Sequence, residues 1–118
     1  MYKVELSPDQ ETLGSEFQRE GYKTGYVGKW HLGGQTAAPF GFDFSVVWRS
    51  TNKHWESTYP EPSDSELVQY DGYNPIGMTD QAISFIEANQ TDPFFLMLSI
   101  DPPHGTFTDA PQDWQDRY

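Results

Sequence analysis

Cysteine is missing from this 118-residue chain altogether. Its absence removes a disulfide framework, a thiolate metal site and a cysteine nucleophile, and leaves the redox compartment unmarked. Cations are scarce as well. Lys plus Arg number 7 against 18 Asp plus Glu, giving a formal net charge of −11 and a pI near 4.3. Nucleic acids and anionic membranes are held through clustered Lys and Arg, so neither is expected as a partner, and a broad polyanion-binding surface is excluded on the same ground. No apolar run approaches the ~20 residues of a membrane span, and the opening MYKVE lacks the apolar core of a signal peptide. Internal repeats and low-complexity tracts are also absent. The length suits one small domain with a single core and is short for a complete α/β hydrolase with all its site loops.

What is present alternates between helix and strand signals. Ser7, Pro8 and Gln10 read as a cap, a first helical residue and a capping box, predicting a helix over 8–20 that ends at Gly21. A strand follows over 23–30. Phe40, Phe42, Phe44, Val46 and Trp48 recur at alternate positions, the period of a half-buried strand over 39–48. From Arg49 to Pro75, prolines, acids and tyrosines are scattered without periodicity, and this stretch reads as a long surface excursion. Thr79 and Asp80 open a second helix to about Asn89, with Ala82, Ile83, Phe85 and Ile86 on one apolar face. The run FFLMLSI over 94–100 is continuous and apolar, as in a parallel strand buried on both sides. The fold class expected is therefore α/β: a partial parallel or mixed sheet of about three strands with two helices. It forms a single unit over 1–118, in which 34–78 is mostly irregular excursion.

The densest stretch is GYKTGYVGKWHLGG at 21–34. If 24–31 is extended, Lys29 and His31 share one face and Trp30 takes the other. Gly28 has no Cβ, so a neighbouring chain or ligand can come close. A Lys-x-His pair on a strand is ordinarily a solvated face, but here its position at a strand's carboxyl end is the place where open α/β sheets bind ligands. His104, in DPPH just past the apolar strand, stands at the same edge if the two strands are parallel. Lys29, His31 and His104 then form a candidate site for a small oxyanion, with the lysine as a point charge and the imidazoles as donors or proton shuttles. His54, between Lys53 and Trp55 in the excursion, reads as a solvated loop histidine.

The string at 21–33 resembles the second signature of the sulfatase family, a branch of the alkaline-phosphatase-like hydrolases. GFDF at 41–44, TDQAI at 79–83 and the FFL…PPH segment at 94–104 are similar to further landmarks of that family, in the family's order. The resemblance implies a piece of the sulfatase-like core. It implies that Lys29 and His31 bind sulfate oxygens and hold the nucleophile, and that His104 contacts the ester or assists the leaving group. Catalytic roles thus fall to His31 and His104, and substrate binding to Lys29, His31 and His104. A complete family enzyme also uses a formylglycine made from a Cys/Ser-x-Pro-x-Arg motif and a divalent cation, calcium or magnesium, held by an Asp pair and a later Asp-Asn or Asp-Gln pair. No Cys/Ser-x-Pro-x-Arg motif, Asp-Asp pair or Asp-Asn pair occurs here, and the Asp-Gln dipeptides at 9–10 and 80–81 read as helix starts. No cofactor and no metal ligand are therefore assigned to this chain.

The expectation is an internal segment of a sulfuric-ester hydrolase, supplying sulfate-binding residues and inactive alone. A non-catalytic anion-binding or scaffold module and a phosphonate or phosphodiester hydrolase relative remain as alternatives. Its partner is expected to be a sulfate ester or small oxyanion, with self-association through exposed sheet faces. The location is unassigned; a full-length parent could be periplasmic, extracellular or lysosomal in type.

Overall fold

The computed structural model describes residues 5–33, 36–48, 52–60, 67–106 and 108–117. Its elements run α1 (Leu13–Arg19), β1 (Lys23–Gly28), a 3-10 turn (Ala38–Phe40), β2 (Phe44–Val47), β3 (Trp55–Pro60), β4 (Leu67–Tyr73), α2 (Asn74–Asn89), β5 (Phe94–Ser99) and α3 (Gln112–Gln115). Three strands form a parallel sheet in the order β2-β1-β5, and β3 pairs antiparallel with β4. Among the described residues no helix is long and apolar enough to cross a membrane.

β1 is the middle strand, and its alternation distributes the core to two sides. Tyr26 packs with Ala37, Phe40, Phe42 and Val47. Its neighbour Val27 packs with Val46, Trp48, Tyr59 and Met78. α1 covers the Tyr26 side: Phe17 stacks on Phe95 at 4.3 Å, and a Cβ on Gly14 would lie 2.7 Å from the Phe42 ring. α2 covers the Val27 side through Met78, which is fully buried, and through Phe85, whose ring lies against Gly25. The α/β expectation holds, as three layers around a parallel sheet.

Several boundaries differ from the sequence reading for local reasons. α1 begins at Leu13, not in the first turn after Ser7, because Thr12 is the better anchored cap. Its hydroxyl accepts from the Ser15 amide at 3.1 Å and also donates to the Phe40 carbonyl at 2.6 Å, while Ser15 Oγ returns to the Thr12 amide at 2.8 Å. The Gly21 stop stands where predicted, at φ 83°. The alternating aromatics of 39–48 do not belong to one strand. Pro39 lies in the 3-10 turn, Gly41 reverses the chain at φ 84°, and only Phe44–Val47 is extended, so Phe40 and Phe42 join one core cluster while Val46 and Trp48 join the other.

The excursion is more ordered than its composition suggested. Beyond β2, it contains the β3–β4 hairpin, held to the sheet by Trp48 stacking on Tyr59 at 4.2 Å and meeting Tyr70 edge-on at 5.5 Å. α2 starts five residues before the expected Thr79, with Pro75 in its first turn, where a missing N–H costs nothing. Its buried stripe is Met78, Ala82 and Phe85, whereas Ile83 and Ile86 are exposed. The apolar strand is expected to be buried on both faces; among the described residues β5 is instead a sheet edge, with Met97 and Leu98 each 42% exposed, and the doubly covered strand is β1.

Two substitutions test this architecture. Met78→Ala should cost about 2–5 kcal/mol, the range for emptying a fully buried site, read as a lower urea midpoint with an unchanged slope. Gly28 has φ 117°, and an added Cβ would lie 2.0 Å from the Ser99 carbonyl oxygen. Gly28→Ala should therefore cost more than about 2 kcal/mol by separating the ends of β1 and β5; an unchanged midpoint would refute that close approach.

Candidate oxyanion site

The carboxyl edge of the sheet is built outward from Gly28. The last turn of pairing is tight: the Lys29 amide donates to the Ser99 carbonyl at 2.8 Å, and the Trp48 amide to the Gly28 carbonyl at 2.9 Å. Lys29 thus leaves β1 with its backbone fixed by both neighbouring strands. The Tyr26 hydroxyl donates to the Lys29 carbonyl, closing the turn from below. Burial pushes the Tyr26 phenol pKa up; the Ser99 hydrogen bond pulls it down and the nearby Asp101 charge adds to the rise.

The Lys29 side chain is held as firmly as its backbone. Nζ lies 3.2 Å from Asp101 Oδ1 and donates to Asn52 Oδ1 at 2.6 Å. The Asp101 side chain is fully buried and that of Lys29 only 21% exposed, so this pair is little screened by solvent. An ammonium has three donors. Among the described residues Asn52 takes one of them and Asp101 supplies the counter-charge, so the ammonium is held in a fixed position at the sheet edge.

His104 reaches the same edge through Asp101. Its backbone amide donates to the Asp101 carbonyl at 3.0 Å, closing a turn around Pro102 and Pro103, whose mutual peptide bond is cis. The His104 side chain is exposed. Lys29 and the His104 turn are therefore neighbours, joined by one buried carboxylate.

His31 is arranged differently. β1 ends at Gly28, so the alternation that would have put His31 beside Lys29 stops. Beyond it the Trp30 indole donates to the Gly33 carbonyl at 2.7 Å and the Leu6 amide to the Leu32 carbonyl at 2.8 Å. His31 is exposed and lines an apolar hollow with Leu6, Leu13, Trp30 and Met97; it takes no part in the Lys29 hydrogen-bond network.

Asn52, Asp101 and His54 carry contacts that sequence reasoning did not assign. His54 is not a solvated loop residue. It is 3% exposed, with Nδ1 2.7 Å from Asp109 Oδ1 and its ring edge-on to Tyr73. Burial raises the Tyr73 phenol pKa, and the Asp109 charge adds to the rise. Asp101 had a signal in the DPPH string, since an acid directly following a strand stands at the ligand edge. His54 had none, because its partner is 55 residues away.

The family model for Sulfatase matches residues 1–118. The chain is 30% identical over 121 residues to the ulvan-active sulfatase of Formosa agariphila, covering 94% of this chain and 24% of that protein. It superposes with a TM-score of 0.85 on a crystal structure of yidJ from Bacteroides fragilis, at 22% identity, covering 97% of this chain and 30% of the other. A structure solved with its substrate D-glucosamine-2-N,6-O-disulfate aligns with a TM-score of 0.73 at 30% identity, covering 86% of this chain and 20% of the other. The chain spans about a quarter of the length of the ulvan-active relative. It belongs to the sulfatase family.

Proposed function

We propose that this chain is the segment of a sulfuric-ester hydrolase that holds the sulfate group, through Lys29 with His31 and His104. The observation that carries this reading is Lys29 itself: a cation fixed at the carboxyl end of the central parallel strand, beside the turn that bears His104. The relative that binds a sulfated amino sugar supports a sulfate ester as the ligand class. In this role Lys29 neutralises sulfate oxygens, His104 hydrogen-bonds the ester side and serves the leaving oxygen, and His31 approaches from the apolar hollow.

Among the described residues no group of three or more His, Asp or Glu side chains is arranged to hold a metal ion. The sequence also contains no Cys/Ser-x-Pro-x-Arg motif. The calcium or magnesium and the formylglycine implied for the family do not fit the donors present, and no step is assigned through them. The residues here orient and bind; attack on sulfur requires groups that this chain does not supply. The chain by itself is therefore inactive in this reading.

Sulfate titration followed by NMR tests binding. His104 and His31 ring signals should shift at millimolar sulfate, and silence at both would remove the reading. Lys29→Gln should abolish the response while costing about 3–5 kcal/mol, because Asp101 is left buried without its counter-charge. Adding Asp101→Asn should recover most of the stability and none of the binding. Turnover of an aryl sulfate by the purified chain with added calcium would overturn the proposed inactivity. The exposed apolar edge of β5 supports self-association; a monomer at all concentrations in size-exclusion chromatography would contradict it.

A further inference from the structure

Residues 52–56, which run from the approach to β3 into its first two positions, are unusual in backbone and in contacts. Asn52 and Glu56 both sit at positive φ, 62° and 54°, a region that non-glycine residues enter only under constraint. The β3–β4 register also shifts between Trp55 and Ser57, the mark of a bulge, and bulges beside sites re-aim side chains. Between these two points the chain turns His54 inward. His54 Nδ1 donates to Asp109, and the Trp55 indole donates to the Asp109 carbonyl at 2.5 Å. The Asn74 amide anchors the same stretch from α2, donating to the His54 carbonyl at 2.7 Å.

The segment also touches the candidate site directly. Asn52 Oδ1 accepts from Lys29, and the Asn52 carbonyl lies 3.5 Å from where a Cβ on Gly105 would stand. The turn bearing His104 is thus held at its start by Asp101, flanked at Gly105 by Asn52, and followed by Asp109 in the grip of His54 and Trp55. Packing alone does not account for a histidine at this point. His54 Nε2 is buried with no hydrogen-bond partner among the described residues, and an apolar ring would fill the space without leaving a polar atom unsatisfied.

We propose that residues 52–56 are a positioning element of the oxyanion site, and that His54 is a positioning residue which, by holding Asp109, orders the His104 turn. This rests on the sulfate-binding reading above for its consequence, though not for its geometry. Asp109 accepts and His54 Nδ1–H donates, so the grip survives any substitution that keeps an acceptor at 109.

The test uses the 118-residue chain and two independent readouts: 15N relaxation of the amides of 101 and 104–106 without ligand, since Pro102 and Pro103 have no N–H, and sulfate affinity from the His104 ring signal. Asp109→Ala and His54→Phe should each raise fast motion across 101–106, leave the β1 amides as ordered as before, and weaken sulfate binding about tenfold. Asp109→Asn should restore both. Unchanged relaxation in Asp109→Ala, or mobility spread equally into β1, would overturn the proposal. If either variant fails to fold, Trp55→Phe removes only the indole donor and should give the same local loosening; its absence counts against the proposal. Should wild-type protein ignore sulfate, the binding reading falls, while the relaxation arm still decides whether His54 orders the turn.

Discussion

The parallel pairing of β1 with β5 up to the Gly28–Ser99 contact sets the position of nearly everything functional in this chain. Because a Cβ at Gly28 would lie 2.0 Å from the Ser99 oxygen, the two strands can end side by side only with glycine there. That closeness lets the Lys29 amide bond Ser99 and brings Asp101, two residues past Ser99, within ion-pair distance of the Lys29 ammonium. A wider separation would leave a fully buried carboxylate without its counter-charge, which is among the more costly defects a core can contain. Backbone fit at one glycine and charge pairing at one lysine are thus a single constraint.

The chain's overall charge sharpens the meaning of that pair. At a net charge of −11, long-range electrostatics disfavour an anionic ligand. The proposed sulfate affinity would then have to come from short-range donors already in place. Asp101 lowers the local positive charge, yet it also removes the conformational freedom of a long side chain that would otherwise have to be ordered on binding. The arrangement exchanges raw attraction for preorganisation, which suits selection of a small tetrahedral group over extended polyanions.

How much of this was legible in the sequence depended on the range of the interaction involved. β1, the Gly21 stop and the apolar run of β5 are written in local patterns and appeared where expected, as did the placing of Lys29 and the His104 turn at one sheet edge, which follows from parallel topology. The β3–β4 hairpin was hidden because its stabilising contacts are aromatic pairs from distant segments, Trp48 with Tyr59 and Tyr70, in a stretch whose prolines argue against strands. The strand period puts His31 on the Lys29 face only if the strand runs on to 31, and β1 ends three residues earlier, at Gly28. The β5 burial pattern was misjudged for another reason: its composition is that of an interior strand, while the described sheet stops there.

That last mismatch bears on how the site would work. β5 carries the turn that holds Asp101 and His104, and among the described residues no strand pairs with its outer edge, where Phe94, Met97 and Leu98 are exposed. An edge strand frays more readily than an interior one, since its hydrogen bonds are made on one side only. The order of the His104 turn therefore cannot be inherited from β5 alone. It has to be supplied from the other flank, where Asn52 meets Lys29 and Gly105 and where His54 meets Asp109. Under the proposed reading, the buried histidine, with a nitrogen unsatisfied among the described residues, and the two left-handed residues around it are the cost of bracing a turn that its own strand does not hold.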